Sequence, residues 1–274
     1  FACIFSALGA EVTIVEAMSR LLPLPSVDEA CSKILQREMK KRKINFITDQ
    51  VVEGVAHTAE GLALPLGISP FADEKRKKRI KPVTPMANTM AVCIGRSPLS
   101  GDLGLDNIGL DLDDRGWIPV NSGMETKVPG VFAIGDILGP RHIMLAHVAS
   151  HEGMVAAENA LGGRAVMDYS AVPGAIFTMP EIGNVGITEA QAREQGIDYT
   201  CAAVNFRTLG KAQAMGEIAG EARIVAEKAT GRVLGMHIIG PHATDLIAEG
   251  TLAVNKGLSV RDLAHTIHAH PTLS

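Results

Sequence analysis

The chain is 274 residues long, with 46% hydrophobic and 20% charged residues, enough to bury the cores of two or three ordinary globular domains. A formal net charge of −4 argues against nucleic acid or an anionic membrane surface as the main partner. No apolar run approaches the roughly 18 residues of a membrane span.

The first residues, Phe1 to Phe5, carry neither a basic leader nor an initiating Met, so no signal peptide is read there and the natural start is expected upstream. Phe1 to Leu8 reads as the end of a helix stopped by Gly9. Val12-Thr13-Ile14-Val15 is a short β-branched strand ending at Glu16. Ser26 opens a helix as a capping box with Glu29, and Ala30, Ile34, Leu35 and Met39 form its apolar stripe. Ile44 to Thr48 is a second strand, which gives the rhythm of a parallel α/β sheet. Residues 61 to 87 break that rhythm. Their basic run, Lys75-Arg76-Lys77-Lys78-Arg79, reads as a solvated loop or hairpin tip, because no aromatic residues interleave as they do on nucleic-acid surfaces. The run Lys40-Lys41-Arg42-Lys43 falls at a helix C-terminus, where cations complement the dipole.

Met90 to Ile94 reads as a buried strand ending in Gly95-Arg96-Ser97-Pro98, a change of domain. After a turn-rich stretch from 101 to 130, Val131 to Ile134 is a strand running into Gly135-Asp136. A helix from about Ala146 to Leu161 ends at Gly162-Gly163. From Tyr169 onward the pattern becomes α+β. Strands are expected at Ala175–Thr178, Cys201–Phe206, Ala222–Glu227 and Val233–Ile239, the last two forming a hairpin around Ala229-Thr230-Gly231-Arg232. A capped helix is expected at Thr188–Gln195, and further helices at about Thr244–Lys256, stopped by Gly257, and Val260–Thr266. The four cysteines, Cys3, Cys31, Cys93 and Cys201, share no redox or zinc spacing and read as structural thiols of a reducing compartment, taken as cytoplasmic.

Three places could carry chemistry. Glu16 ends the second strand of a dinucleotide-binding unit, where an acid accepts hydrogen bonds from a ribose diol, though an acid in that position is as readily a surface residue. Counting back places the glycine-rich phosphate loop before residue 1. Gly135-Asp136 delivers a carboxylate at a strand end, where α/β proteins bind ligands; there it can accept from sugar-like hydroxyls or simply cap a turn. At the end of the chain, His265, His268 and His270 offer imidazoles suited to proton transfer near neutrality, with a plain His-rich terminus as the alternative. Pro271 restricts His270 to an extended backbone. No further ligand follows at zinc spacing, so no metal is expected. His142, His147 and His151 read as helix surface and backbone positioning.

Taken in order, Leu8 to Glu16, Cys93 to Pro98, Val131 to Asp136, Met144 to His147, Arg232 to Gly240 and His268 to Ser274 resemble the flavoprotein disulfide reductases. The closest likeness is to the branch that oxidises dihydrolipoamide. The resemblance implies a truncated Rossmann-like NAD domain at 1–99, a central, FAD-contacting domain at 100–168, and an α+β interface domain that dimerises at 169–274. It implies that Glu16 holds the NAD ribose and that Gly95 lets the cofactor approach the backbone. Gly135 and Asp136 would meet the FAD ribitol, and Met144, Leu145, Ala146 and His147 would line the flavin. His270, with His268, would be the catalytic acid–base, serving the disulfide and flavin of the partner subunit in a homodimer. The implied reaction oxidises a dihydrolipoyl group and passes electrons through a disulfide and FAD to NAD. The implied partners are lipoyl domains of 2-oxo acid dehydrogenase or glycine cleavage complexes. The paired cysteines and FAD-pyrophosphate loop are expected upstream of residue 1, and a carboxylate orienting His270 after Ser274, so the fragment alone is expected to be inactive. Glutathione or mercuric reductase chemistry, or a non-catalytic dimerisation or nucleotide-binding module, are the alternatives.

Overall fold

Gly9, with φ +93°, ends the first helix α1 (Ala2–Ala7), and the chain turns at once into β1 (Thr13–Glu16) of a computed structural model describing residues 1–274. Helix α2 (Glu29–Lys41) follows, capped by Asp28, whose carboxylate accepts from Ala30 N–H at 2.9 Å. The cap expected at Ser26 is therefore displaced. Asp28 reaches the first free N–H with one carboxylate oxygen, and Ser26 lies in the preceding turn. Helix α2 buries Cys31, Leu35 and Met39 at i, i+4 spacing. Its basic end, Lys40 to Lys43, sits where expected, with Lys40 over the Phe46 ring at 5.1 Å. Strand β2 (Asn45–Thr48) pairs with β1 in parallel.

Residues 50 to 87 form short antiparallel ladders: β3 (Gln50–Val52) with β6 (Leu66–Ile68), and β5 (Gly61–Ala63) between β4 (Ala56–Thr58) and β7 (Met86–Ala87). The basic run is not a bare loop. Its first part is the helical turn α3 (Glu74–Lys77), capped by Asp73. Arg76 is held there by the buried Asp49 carboxylate at 2.6 Å.

Two compact units divide the chain, one made of residues 1–90 and 170–274, the other of residues 91–169. In the second unit, the expected strand Met90 to Ile94 does not form. No neighbouring backbone bonds to it, and Val92 and Ile94 are 64% and 94% exposed. The expected strand Val131 to Ile134 is likewise reduced to one bridge, Glu125 to Phe132, because only a turn lies beside it. Helix α4 (Ala146–Ala160) forms as expected.

The rest of the first unit is a five-stranded antiparallel sheet in the order β10 (Tyr199–Asn205), β11 (Glu221–Glu227), β12 (Val233–Gly240), β9 (Glu181–Gly186), β8 (Gly174–Ile176). Helix α5 (Glu189–Glu194) opens with a capping box between Thr188 and Gln191, and α6 (Gly210–Met215) follows β10. Helix α7 (Ala243–Lys256) ends at Gly257, whose left-handed φ of +63° a side chain would strain. Helix α8 (Val260–His265) closes the fold.

The sheet is covered on both faces. Ile182 and Ile239 pack with Cys3, Leu21, Cys31 and Leu35 in one core, which includes α1 and α2. Val185, Met236 and Ile238 pack with Phe206, Ala243 and Ile247 in the other, on the α7 side. Alternate residues of β9 and β12 thus enter opposite cores, as the period-two pleat requires.

Candidate functional site

In the second unit, Gly135 turns the chain with φ +75° into a 3₁₀ turn that presents Asp136. A Cβ at Gly135 would also press on Ala149 of α4 at 3.3 Å, so both backbone conformation and close packing require glycine here. The turn is held from behind by Glu152, a fully buried residue of α4. One oxygen of Glu152 accepts from Gly135 N–H at 2.7 Å, and the other from the Tyr169 hydroxyl at 2.7 Å. Burial, and then the Glu152 carboxylate, push the Tyr169 phenol above its ordinary pKa, so it remains a donor. His142 Nδ1 meets the same hydroxyl at 3.0 Å.

Asp136 itself is half exposed and accepts from Arg96 through Oδ2. Oδ1 is left for a further donor. Met144, Leu145, Ala146 and His147 lie around the start of α4, with Leu145 as its N-cap residue and no side-chain cap. Ala146 and His147 are exposed. An uncapped N-terminus leaves backbone N–H groups able to donate to electronegative ligand atoms. The donor set therefore fits a polyhydroxylated, electron-accepting group such as a flavin nucleotide: a carboxylate for hydroxyls, and the start of a helix with no side-chain cap for a ring carbonyl. Gly95 is exposed, with φ +142° and open space where a Cβ would stand. Neither Glu152 nor Arg96 was singled out from the sequence. Val148 and Glu152, the two buried residues of α4, are four apart, and an acid on that stripe is the signal that could have found it.

In the first unit, Glu16 ends β1 and folds back to accept from Met18 N–H at 2.8 Å. His265 ends α8, and His268 and His270 follow on the exposed tail. His268 is held between two acceptors: Nδ1 faces Thr266 O at 2.9 Å, and Nε2 faces Glu249 Oε1 of α7 at 2.7 Å. The Glu249 carboxylate raises the pKa of this imidazole. Glu249 had no signal in the sequence, since it lies 19 residues away. His270 is exposed and precedes a cis peptide to Pro271, and its ring enters no hydrogen bond or ion pair within the chain.

All four cysteines are free. Burial, then Asp28, push the Cys31 thiol up to about 12, and burial raises Cys201 as well. Both are poor nucleophiles, since the reactive species is the thiolate. No group of three or more His, Cys, Asp or Glu is gathered to hold a metal, and no helix is long and apolar enough to cross a membrane.

Comparison with known proteins accounts for nearly the whole chain. Residues 1–153 match a family profile described as pyridine nucleotide-disulphide oxidoreductase, and residues 172–274 match the dimerisation domain of the same family. Among curated proteins, the mitochondrial dihydrolipoyl dehydrogenase of Mesocricetus auratus is 38% identical over 272 residues, covering 99% of this chain and 54% of the relative. The dihydrolipoyl dehydrogenase of Chlamydia trachomatis is 39% identical over 274 residues, covering 100% of this chain and 55% of the relative. The chain spans about half the length of these relatives. Among solved structures, LpdA from Mycobacterium tuberculosis superposes with a TM-score of 0.86 at 25% identity, over 100% of this chain and 56% of that one. The HOCl-induced flavoprotein disulfide reductase RclA from Escherichia coli gives 0.86 at 23% identity over 99% and 59%, a likeness of fold.

Proposed function

The chain belongs to the pyridine nucleotide-disulphide oxidoreductases, and from that premise we propose that the protein works as a dihydrolipoyl dehydrogenase. The observation that carries this is His270: an exposed imidazole with no internal partner, on the tail that ends the dimerisation-domain match. An unbonded ring can accept a proton from a dithiol, and the thiolate so formed is the nucleophile of disulfide exchange. His268 stands two residues before it.

FAD, when bound, would supply the electron relay between a disulfide and NAD. On this chain, Asp136 Oδ1 would accept from the ribitol hydroxyls, while Gly135, fixed by Glu152, keeps that carboxylate at the turn. Met144 and Leu145 would supply apolar contact and Ala146 and His147 backbone donors at the start of α4. Glu16 would accept from the NAD ribose, and Gly95 would permit close approach of a cofactor. We assign residues 1–99 to NAD binding, 100–168 to the central, FAD-contacting domain and 169–274 to the interface.

A homodimer follows from the same reading. Phe177 and Ile267 are 76% and 97% exposed, and Val204 and Leu252 are also exposed. Such apolar exposure within the dimerisation-domain match fits a surface covered by a second copy. Lipoyl domains are the proposed protein substrates, and the free thiols fit a reducing compartment, the cytoplasm in this reading. In the flavin-loaded dimer of the full-length protein, His270→Ala should lower dihydrolipoamide turnover by about 10² to 10⁴-fold with FAD retained. Near-normal turnover would overturn the assignment.

A further inference from the structure

The tail that carries His270 is fastened on both sides of it. Behind it, Leu273 packs against the α7-side core that contains Val185, Phe206 and Ile247. Within it, Thr272 Oγ1 donates to Ala269 O at 2.7 Å. Ahead of it, His268 bonds to Glu249 of α7.

The His268 contacts have a chemical consequence. Both ring nitrogens lie within hydrogen-bond distance of an acceptor with no hydrogen of its own, a peptide carbonyl and a carboxylate. A neutral imidazole carries one N–H and would set its bare nitrogen against one of these oxygens. Only the imidazolium satisfies both. The charges near it do not compete for the role. On α8, Asp262 is engaged by Ser259 N–H and Oγ, and His265 acts on Asp262. Glu249 is the one carboxylate on the ring, and its charge raises the His268 pKa, in agreement with the geometry.

We infer that Glu249 and His268 are a positioning pair, a charged strap from α7 that fixes the tail so that His270 alone moves the proton. This rests on the proposed role of His270 and goes beyond it by dividing the labour between the two histidines. His268 has no lone pair free to accept a proton, whereas both nitrogens of His270 are unengaged. A displaced base loses rate steeply, since misplacement by about 1 Å can cost on the order of 10²-fold.

The test uses Glu249→Gln and Glu249→Asp. In the 274-residue chain, ¹⁵N-detected imidazole titration should show His268 holding both protons to higher pH than an ordinary imidazole. Glu249→Gln should bring its midpoint down towards the ordinary value of about 6.5. Glu249→Asp should preserve part of the elevation. In the flavin-loaded dimer of the full-length protein, Glu249→Gln should lower kcat by about 10 to 100-fold with flavin content and the KM for NAD unchanged, and Glu249→Asp should restore part of it. Thermal melting of the same variants separates this from loss of fold, which should be slight at a surface position on a long helix. An unchanged His268 titration in Glu249→Gln, or unchanged kcat with His268 made neutral, would overturn the inference. Failure of His270→Ala to lower turnover would instead sink the acid–base reading beneath it.

Discussion

Replacing Gly183 with Ala tests whether the contact between β9 and α7 is as tight as it stands. An added Cβ would lie 2.2 Å from the carbonyl oxygen of Ala243 and 2.8 Å from Ile247 Cβ. Carbon and carbonyl oxygen ordinarily come no closer than about 3.3 Å, so the first turn of α7 would have to retreat by roughly 1 Å. No rotamer change relieves this, because the obstacles are a backbone atom and a Cβ. The cost should therefore fall at the upper end of the usual overpacking range, about 3 kcal/mol, or roughly 6 to 12 °C in Tm for a unit of this size. The retreat would also strain the bonds from Thr244 N–H and Oγ1 to Glu181 Oε2, 3.2 and 2.7 Å long. Gly210→Ala is the internal control. Its Cβ meets nothing within 4 Å, its φ is not positive, and it is the first residue of α6. Stiffening the unfolded chain should there stabilise by about 0.4 to 1 kcal/mol. Calorimetry of both variants decides the matter: equal Tm shifts, or no loss in Gly183→Ala, would refute the steric reasoning.

Three further outcomes are expected. His237 is buried on β12, its Nε2–H donates to Ile187 O at 3.0 Å, and Nδ1 has no partner; burial holds its pKa below the ordinary imidazole value. Because the unfolded chain takes up the proton first, stability should be full above about pH 6.5 and fall as the pH drops through the folded-state pKa. His237→Gln should flatten that slope in Tm measured from pH 7.5 to 5.5, and an identical slope in the variant would count against it. Arg76→Ala strips Asp49 of its only cation, and Asp49 Oδ1 is already buried without a partner. The expected loss is about 1 to 2 kcal/mol, discounted because the guanidinium is half exposed; adding Asp49→Asn should recover part of it in denaturant unfolding, and a fully additive double variant would dismiss the pairing. In the full-length protein, Asp136→Ala should weaken flavin retention, read as absorbance after dialysis, with unchanged flavin content arguing against the proposed ribitol contact.

Local signals in the sequence located elements well where the determining partner is itself local. The Thr188–Gln191 capping box, the β11–β12 hairpin and the Gly257 stop each depend on residues within one turn. Even there the choice between adjacent caps was not legible: Ser26 and Asp28 both fit, and the carboxylate that reached Ala30 N–H took the helix start. Met90 to Ile94 and Val131 to Ile134 have strand composition, yet a strand needs a neighbour, and composition does not say whether one is present. Strand β9 was missed for a different reason. Its residues from Ile182 to Val185 are all buried, which erases the polar alternation of a half-exposed strand, and its two glycines further weaken the pattern. The candidate residues Glu16, Asp136 and His270 were legible from spacing and resemblance. Their supports, Glu152 and Glu249, were not, since each acts across 17 or 19 residues of sequence through a side chain whose direction only the fold fixes.

Within the first unit, the central sheet gives the candidate residues Glu16 and His270 a rigid frame. Strand β12 sends Ile239 into the core with α2 and Met236 and Ile238 into the core with α7. Helix α2 connects β1, which carries Glu16, to its partner strand β2, and α7 carries Glu249, so Glu16 and the histidine tail are braced from opposite faces of one sheet. Such a core resists small displacements because protein interiors pack like crystals and transmit strain. Glu16, half-buried, and His270, exposed, can then stay accessible to solvent while the elements beside them are held by those cores. Glu16 and His270 thus depend on separate cores. A cavity made at Ile239 and one made at Ile238 share a strand but not their partners. Their stability costs would add to the extent that the strand between them stays rigid, and any non-additivity would measure how far a disturbance on one face reaches the other.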